Sequence, residues 1–517
     1  MSAVSTRHID RFTLTSDLAM GARKMVRFAV IPVLLLSVLA AAYLLITGRP
    51  GAMAVVLMGV GASFVLFAWK NLGVSVPLTP LIAVQHLVIY GLPIVIGNET
   101  VIPYSDRLLR QSGLELLVFF VALAGGWRAG MQFIPPSEPI SRALRIITME
   151  GNRGLQRVGY SLILFTTLYY LLQSLDLFSS VVAMLPSGSE SMINTLTSVA
   201  ALCGFFIIAL EVGSGKTSIT NVIAFWFLFT VNCLLTAVGL LLSSTTGFIA
   251  AVAIGLFWGS QRVPWVFLVT VLSLLAFFSL GKYEMRTRYW ENSEDFIPFV
   301  ALQDLPSRYA EWAQVSVETL TRHGTTSMQQ QEAAETGSVL SRINNLQNLL
   351  YVMDETETHE TPLLHGATYS LIPPLLIPRI FWPDKPRTHE GQVMLNVHFG
   401  RQDLISSFRS YIAWGLLPEA YGNFGPWMGS VFLGLVLGWL GAWYERYFSN
   451  KLVISLEGFI AFTIFLGVAA SFEMVASVLV TSMFQGVMVV VIACLPFVHK
   501  TRTRRPEPRP REPKPAQ

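Results

Sequence analysis

The sequence predicts an all-α polytopic integral membrane protein of about twelve transmembrane helices, with one large loop that carries short helices of its own. Three observations predict it. Hydrophobic residues make up 53% of the chain and charged residues 13%, with a mean hydropathy of +0.54, too apolar for a soluble chain of this length. Apolar runs about as long as a bilayer is thick recur along the chain. Lys and Arg collect in alternate loops between those runs, the pattern by which positive loops stay in the cytoplasm.

The runs cover residues 26–47, 52–69, 77–97, 108–131, 155–174, 192–211, 219–242, 246–258 and 263–280, and then 427–443, 453–472 and 477–498. The first is longer than a signal-peptide core and reads as an uncleaved span. The eighth is short and interrupted by Gly, so eleven spans is the alternative. Arg7, Arg11, Arg23 and Lys24 precede the first run and Arg27 stands at its start, and Lys500, Arg502, Arg504, Arg505, Arg509, Arg511 and Lys514 follow the last. Both termini are therefore expected in the cytoplasm, which requires an even number of spans. The cations of the 142–157 loop, the Lys216 and Arg262 turns and the 446–451 turn fall on the same side, whereas residues 176–191 contain no Lys or Arg. The three cysteines, Cys203, Cys233 and Cys494, lie inside apolar runs and read as packing residues, with no disulfide framework.

This divides the chain into a cytoplasmic tail at 1–25, spans one to nine over 26–280, an outer loop at 281–426, spans ten to twelve over 427–498, and a disordered, basic, Pro-rich cytoplasmic tail at 499–517. The outer loop holds five of the eight histidines, His323, His359, His365, His389 and His398, and its Asp and Glu outnumber its Lys and Arg. A loop this long is expected to be functional and to have structure of its own. Tyr309, Trp312, Val315 and Leu320 suggest a helix within 299–322, interrupted near Pro306. Leu340, Ile343, Leu346, Leu350 and Met353 recur at helical spacing over 339–353.

Within this loop, Pro378-Arg379-Ile380-Phe381-Trp382-Pro383-Asp384-Lys385-Pro386-Arg387 sets three fixed cations among prolines and aromatics. The prolines stiffen the backbone, and guanidinium forks and an ammonium suit phosphate oxygens. Alternatively, Arg379 and Asp384 pair and simply hold the loop. Lys282 and Arg286 are four apart just beyond the ninth run, on one helical face and at the height of a lipid phosphate. Snorkelling is the competing account of such cations. Arg342 lies on the 339–353 segment, where a surface ion pair is the alternative. His365, His389 and His398 lack the spacing of metal ligands, so no metal is expected. A histidine acting as general base toward a sugar hydroxyl fits better, with His389 the first choice and His365 the second. Glu419, Tyr421 and Asn423 lead toward the tenth run, where the carboxylate and amide suit sugar hydroxyls or a proton; Glu419 could instead pair with Arg409. Glu115 and Glu473, in or beside apolar runs, each need a partner or a wet cavity. No phosphate-binding glycine loop and no nucleic-acid signature is present, so an already activated substrate is expected.

These residues give the chain a resemblance to the Wzy-like oligosaccharide repeat-unit polymerases of bacterial polysaccharide pathways, which share a general plan with O-antigen ligases. It runs from Gly281 to Trp443 and rests on Lys282 with Arg286, Arg342, the Thr361-Pro362 to Gly366 stretch, the Pro378-Arg379 to Lys385-Pro386 block, and Glu419-Ala420-Tyr421-Gly422-Asn423-Phe424-Gly425. The resemblance implies a multi-pass glycosyltransferase of the bacterial inner membrane, working at its periplasmic face on polyprenyl-diphosphate-linked oligosaccharides, without a cofactor, and accompanied by a flippase and a chain-length regulator. On that reading Arg379, Arg387, Lys385, Lys282, Arg286 and Arg342 hold diphosphate. His389 or Glu419 takes the acceptor proton, Trp382, Phe381 and Tyr421 stack on sugars, and Asn423 binds hydroxyls. An O-antigen ligase, or a twelve-span transporter of lipid-linked oligosaccharide, is the alternative; the scarcity of ionisable groups within the runs disfavours the transporter.

Overall fold

A computed structural model describes residues 17–175, 177–178, 189–215, 217–240, 242–291, 300–322, 344–377, 381–382, 384–409, 412–470 and 474–502. A helix forms on each of the twelve apolar runs. In order these are α1 (Asp17–Ile46), α2 (Ala52–Leu72), α3 (Leu78–Ile96) and α4 (Asp106–Phe133), then α6 (Asn152–Ser174), α7 (Ser189–Gly213), α8 (Ile219–Ala237), α9 (Ser243–Ser260) and α10 (Trp265–Arg286), and last α17 (Met428–Phe448), α18 (Leu456–Ala469) and α19 (Ala476–Cys494). Strand β1 (Ile140–Leu144) and the short α5 (Arg145–Glu150) precede α6. Among the described residues, eight helices are long and apolar enough to cross a bilayer: α1 to α4, α7, α8, α10 and α19. The chain is an all-α polytopic membrane protein.

Between α10 and α17 lie α11 (Leu305–Arg322), α12 (Leu346–Glu357), α13 (Ile372–Leu376), α14 (Glu390–His398), α15 (Leu404–Arg409) and α16 (Leu416–Phe424). Three of them differ from the sequence expectation. Pro306 falls in the first turn of α11, where its missing N–H costs nothing, so it starts the helix instead of interrupting it. The described part of the next helix begins at Leu346 and runs past Met353 to Glu357. Residues 416–424 form a separate buried helix set off from α17 by Gly425, whose φ of +78° breaks the line.

Without a hydrophobic drive between helices in lipid, close approach of backbones provides much of the packing. The tightest seam joins α4 to α17: a Cβ on Gly438 would stand 2.2 Å from the Leu123 carbonyl, and one on Gly126 2.4 Å from the Leu435 carbonyl. The same seam is pinned by the buried Glu445, whose Oε1 accepts from the indoles of Trp69 (2.6 Å) and Trp127 (2.9 Å) while Oε2 accepts from Val74 N–H (3.3 Å). Glu115 of α4 likewise finds partners, the Trp427 N–H (2.9 Å) and the Ser430 hydroxyl.

Loops sort to two ends. At one, β1 pairs antiparallel with β2 (Val498–Arg502), Arg142 opposite Lys500, while Lys451 donates to the carbonyls of Glu138 (2.9 Å) and Ile140 (2.8 Å). The tail expected to be disordered from residue 499 therefore begins as strand, because β1 offers it a partner. At the other end Asn344 donates to Thr100 Oγ1 (2.8 Å), Tyr309 to the Leu234 carbonyl (2.7 Å), and α12 packs on α16, α3 and α4.

Candidate functional site

At this second end α16 is enclosed by its neighbours, and Leu416 to Asn423 are all buried. Asn423 clasps the segment before α13 onto it. Its Oδ1 accepts from Gly366 N–H (3.1 Å), and its Nδ2 donates to Thr368 Oγ1 (2.9 Å) and the Glu419 carbonyl (2.8 Å). Backbone bonds from Leu364 N–H to Gly422 O (3.0 Å) and His365 N–H to Asn423 O (2.9 Å) complete the strap, which turns at the left-handed pair His365 and Gly366. With its amide so engaged, Asn423 positions backbone; it is not presented to a sugar. Tyr421 is likewise fully buried and packs as core, which removes it as a stacking platform.

Glu419 lies under the strap. Its Oε2 accepts from Ala476 N–H at 2.6 Å, so the carboxylate faces the N-terminus of α19, where the helix dipole favours negative charge. Burial outweighs that contact and the Thr368 hydroxyl, and pushes the Glu419 carboxyl up to about 7. Two more buried polar atoms, Tyr369 Oη and Ser477 Oγ, have no hydrogen-bond partner among the described residues. The start of α14 meets the same helix end, since a Cβ on Gly391 would stand 3.0 Å from Ser477 Oγ. His389 caps α14, half-buried, with Nδ1 2.6 Å from Gln392 Oε1. Glu419 and His389 thus sit on elements that converge at one helix terminus.

Among the described residues the expected cations, Lys282, Arg286, Lys385 and Arg387, are not gathered into one patch. Lys385 donates to the carbonyls of Leu375 (2.7 Å) and Ile377 (2.6 Å), the open end of α13, so its ammonium braces the loop. Arg387 is exposed with its guanidinium 4.6 Å over the Phe408 ring of α15. Arg286 donates to the Leu240 carbonyl (2.9 Å), and with Lys282 it belongs to α10, which packs chiefly on α11, away from α14 and α16. That bond ties the end of α10 to the α8–α9 turn. Trp382 and Phe381 are exposed, as sugar-stacking rings would be. Arg379, Arg342 and Glu473 lie outside the described residues.

Sequence reasoning passed over Arg401. Its guanidinium donates to Asn348 Oδ1 and lies 5.4 Å from the Tyr351 ring and 5.5 Å from that of Trp414. Asn348 is fixed by donating to the Ala413 (2.7 Å) and Trp414 (2.9 Å) carbonyls, and Trp414 donates to Asn396 (2.7 Å). Among the described residues Arg401 forms no ion pair, and burial lowers its pKa. A half-buried guanidinium held by neutral groups is suited to an anionic ligand. No sequence motif marks it; only the fold brings Asn348, Tyr351 and Trp414 to it.

Among the described residues no three His, Cys, Asp or Glu side chains are grouped to share a metal ion. No protein-family model, curated protein or solved structure matches the chain.

Proposed function

We propose that this protein is a twelve-span membrane glycosyltransferase that joins polyprenyl-diphosphate-linked oligosaccharide repeat units at the periplasmic face of the bacterial inner membrane, with both termini in the cytoplasm. The observation that carries the reading is the junction at the start of α19, where an enclosed carboxyl titrating near neutrality and a half-buried histidine converge in the one large polar interval of an otherwise apolar chain.

Transfer breaks the bond from the anomeric carbon to the diphosphate oxygen, which keeps the electron pair. The acceptor hydroxyl oxygen forms the new glycosidic bond and gives up its proton. His389, accessible where Glu419 is not, takes that proton. Glu419, ionised, favours the imidazolium that results and acts as a positioning residue. Charge developing on the departing diphosphate is offset by Arg387, joined by Arg379, while Arg401 holds the diphosphate equally before and during transfer. Trp382 offers a flat face to a sugar ring.

Purified protein in nanodiscs, given lipid-linked oligosaccharide, tests this directly. A ladder of products differing by one repeat is expected. A single addition to lipid A core would make it a ligase, and movement of the substrate without bond formation would make it a transporter.

A further inference from the structure

At the end of the bundle away from α16, the structure contains a cleft of about 580 Å³, a size at which proteins hold small ligands. Its walls are apolar side chains of α6, α7, α18 and α19, among them Leu162, Ala200, Cys203, Phe459 and Val490. Ile146 and Met149 of α5 and Phe497 before β2 form the lips, with Met149 84% and Phe497 64% exposed. The charged lining residues are Arg145 and Glu150, and Glu150 is already paired with Arg157 at 2.6 Å.

Cations lie on the elements that form this mouth, with Arg145 in its lining. Arg142, Arg145, Arg153, Arg157 and Lys500 are all exposed on β1, α5, the start of α6 and β2, against Glu150 and Glu457. Glu457 stands 3.7 Å from Arg142. The β1–β2 pairing brings Lys500 beside Arg142, so the excess of positive charge is built by the fold from two distant parts of the chain. Two of the walls, α7 and α19, are long and apolar enough to cross a bilayer, so the slot lies between helices of membrane length, and the exposed apolar lips and the cations stand at the end of those helices that carries α5, β1 and β2. That order, an apolar slot below and a basic collar above, matches a phospholipid standing in its leaflet.

We propose that this cleft binds an anionic membrane phospholipid, with an acyl chain in the slot between α6, α7 and α19 and its phosphate head against Arg145 and Lys500. The site is independent of the transfer reaction proposed above. The full chain is reconstituted in nanodiscs of phosphatidylcholine alone or mixed with phosphatidylglycerol, extracted, and the lipid retained per protein is counted by native mass spectrometry. Phosphatidylglycerol is expected to be retained in preference to phosphatidylcholine. Arg145→Gln and Lys500→Gln are each expected to lower that retention about fivefold, the weight of one cation at an anionic surface. Ala200→Phe, which fills the slot, is expected to abolish it. Equal retention of the two lipids by the wild-type protein overturns the proposal whatever the variants do. So does retention unchanged in a folded Ala200→Phe protein, or displacement of phosphatidylglycerol by an equimolar polyprenyl phosphate, which would give the slot to an isoprenoid instead.

Discussion

A carboxyl enclosed in protein is driven toward its neutral form, and a helix N-terminus pulls it back; at Glu419 burial wins, and the group ends near 7. Its ionised form is the minority below that pH and the majority above it, so a reaction that needs the carboxylate gains rate as pH rises through about 7. Glu419→Gln should keep the fold, lower the transfer rate and remove this rise; a pH–rate profile identical to wild type would show that the carboxylate plays no part. His389→Gln should cost more, about a hundredfold or beyond, because it removes the proton acceptor itself. Arg401 makes a different prediction. If its guanidinium meets the diphosphate, Arg401→Gln should raise KM for the lipid-linked donor about tenfold with kcat little changed, the weight of one charge-assisted hydrogen bond. Arg401→Lys should restore only part of this, since an ammonium keeps the charge but not the fork or the stacking on Tyr351 and Trp414. A KM unchanged in both variants would leave Arg401 as a brace between α12 and the segment after α14.

At the scale of elements, side chains that look alike in sequence take different duties according to what the neighbouring helix leaves open. Lys385 was legible as a fixed cation in a proline-rich loop. That the C-terminal carbonyls of α13 would claim it was not, because α13 is only five residues long and carries no periodic signal. Glu445 escaped notice for the converse reason: Trp69 and Trp127 are remote in sequence and read as ordinary apolar residues until α2, α4 and α17 converge on it. The α4–α17 seam gives the element-level test. Gly438→Leu would drive a side chain into the Leu123 carbonyl and the Trp127 N–H, 2.2 and 2.6 Å from the new Cβ, and two helix backbones must separate to admit it. Gly125, also on α4, is exposed with open space around it. Overpacking of this kind costs about 1–3 kcal/mol. Gly438→Leu should therefore lower the thermal midpoint and the folded yield in detergent, and Gly125→Leu should change neither; equal effects would mean that general helix propensity, not the close seam, governs stability.

For the whole molecule, length and apolarity were enough to find the helices, because a run of bilayer length has few other solutions, and a helix stands on each of the twelve runs. The β1–β2 pair was illegible: each strand is five residues, one inside a basic loop and the other at the head of a basic tail, and only their juxtaposition makes either a strand. That pair nevertheless bears on topology. Loops assigned by Lys and Arg to one side, 137–142, 446–451 and 498–502, contact one another at one end of the bundle. The strap at 364–369 and the Lys385 loop lie at the other end, against the first turn of α19. From that turn to β2 the chain runs the length of α19, nineteen residues or about 28 Å at 1.5 Å per residue, close to the thickness of a bilayer core. On the topology proposed above, the two loop sets are expected to face opposite compartments. In a chain with Cys203, Cys233 and Cys494 replaced by Ala, single cysteines at Trp382 and at Lys500, both exposed, should react with a membrane-impermeant maleimide from opposite sides. The Trp382→Cys site should label in intact spheroplasts and the Lys500→Cys site only after permeabilisation. Labelling of Trp382→Cys solely from the cytosol would put the Glu419 junction on the wrong side for a periplasmic transferase, and labelling of both sites from one side would contradict the helix count itself.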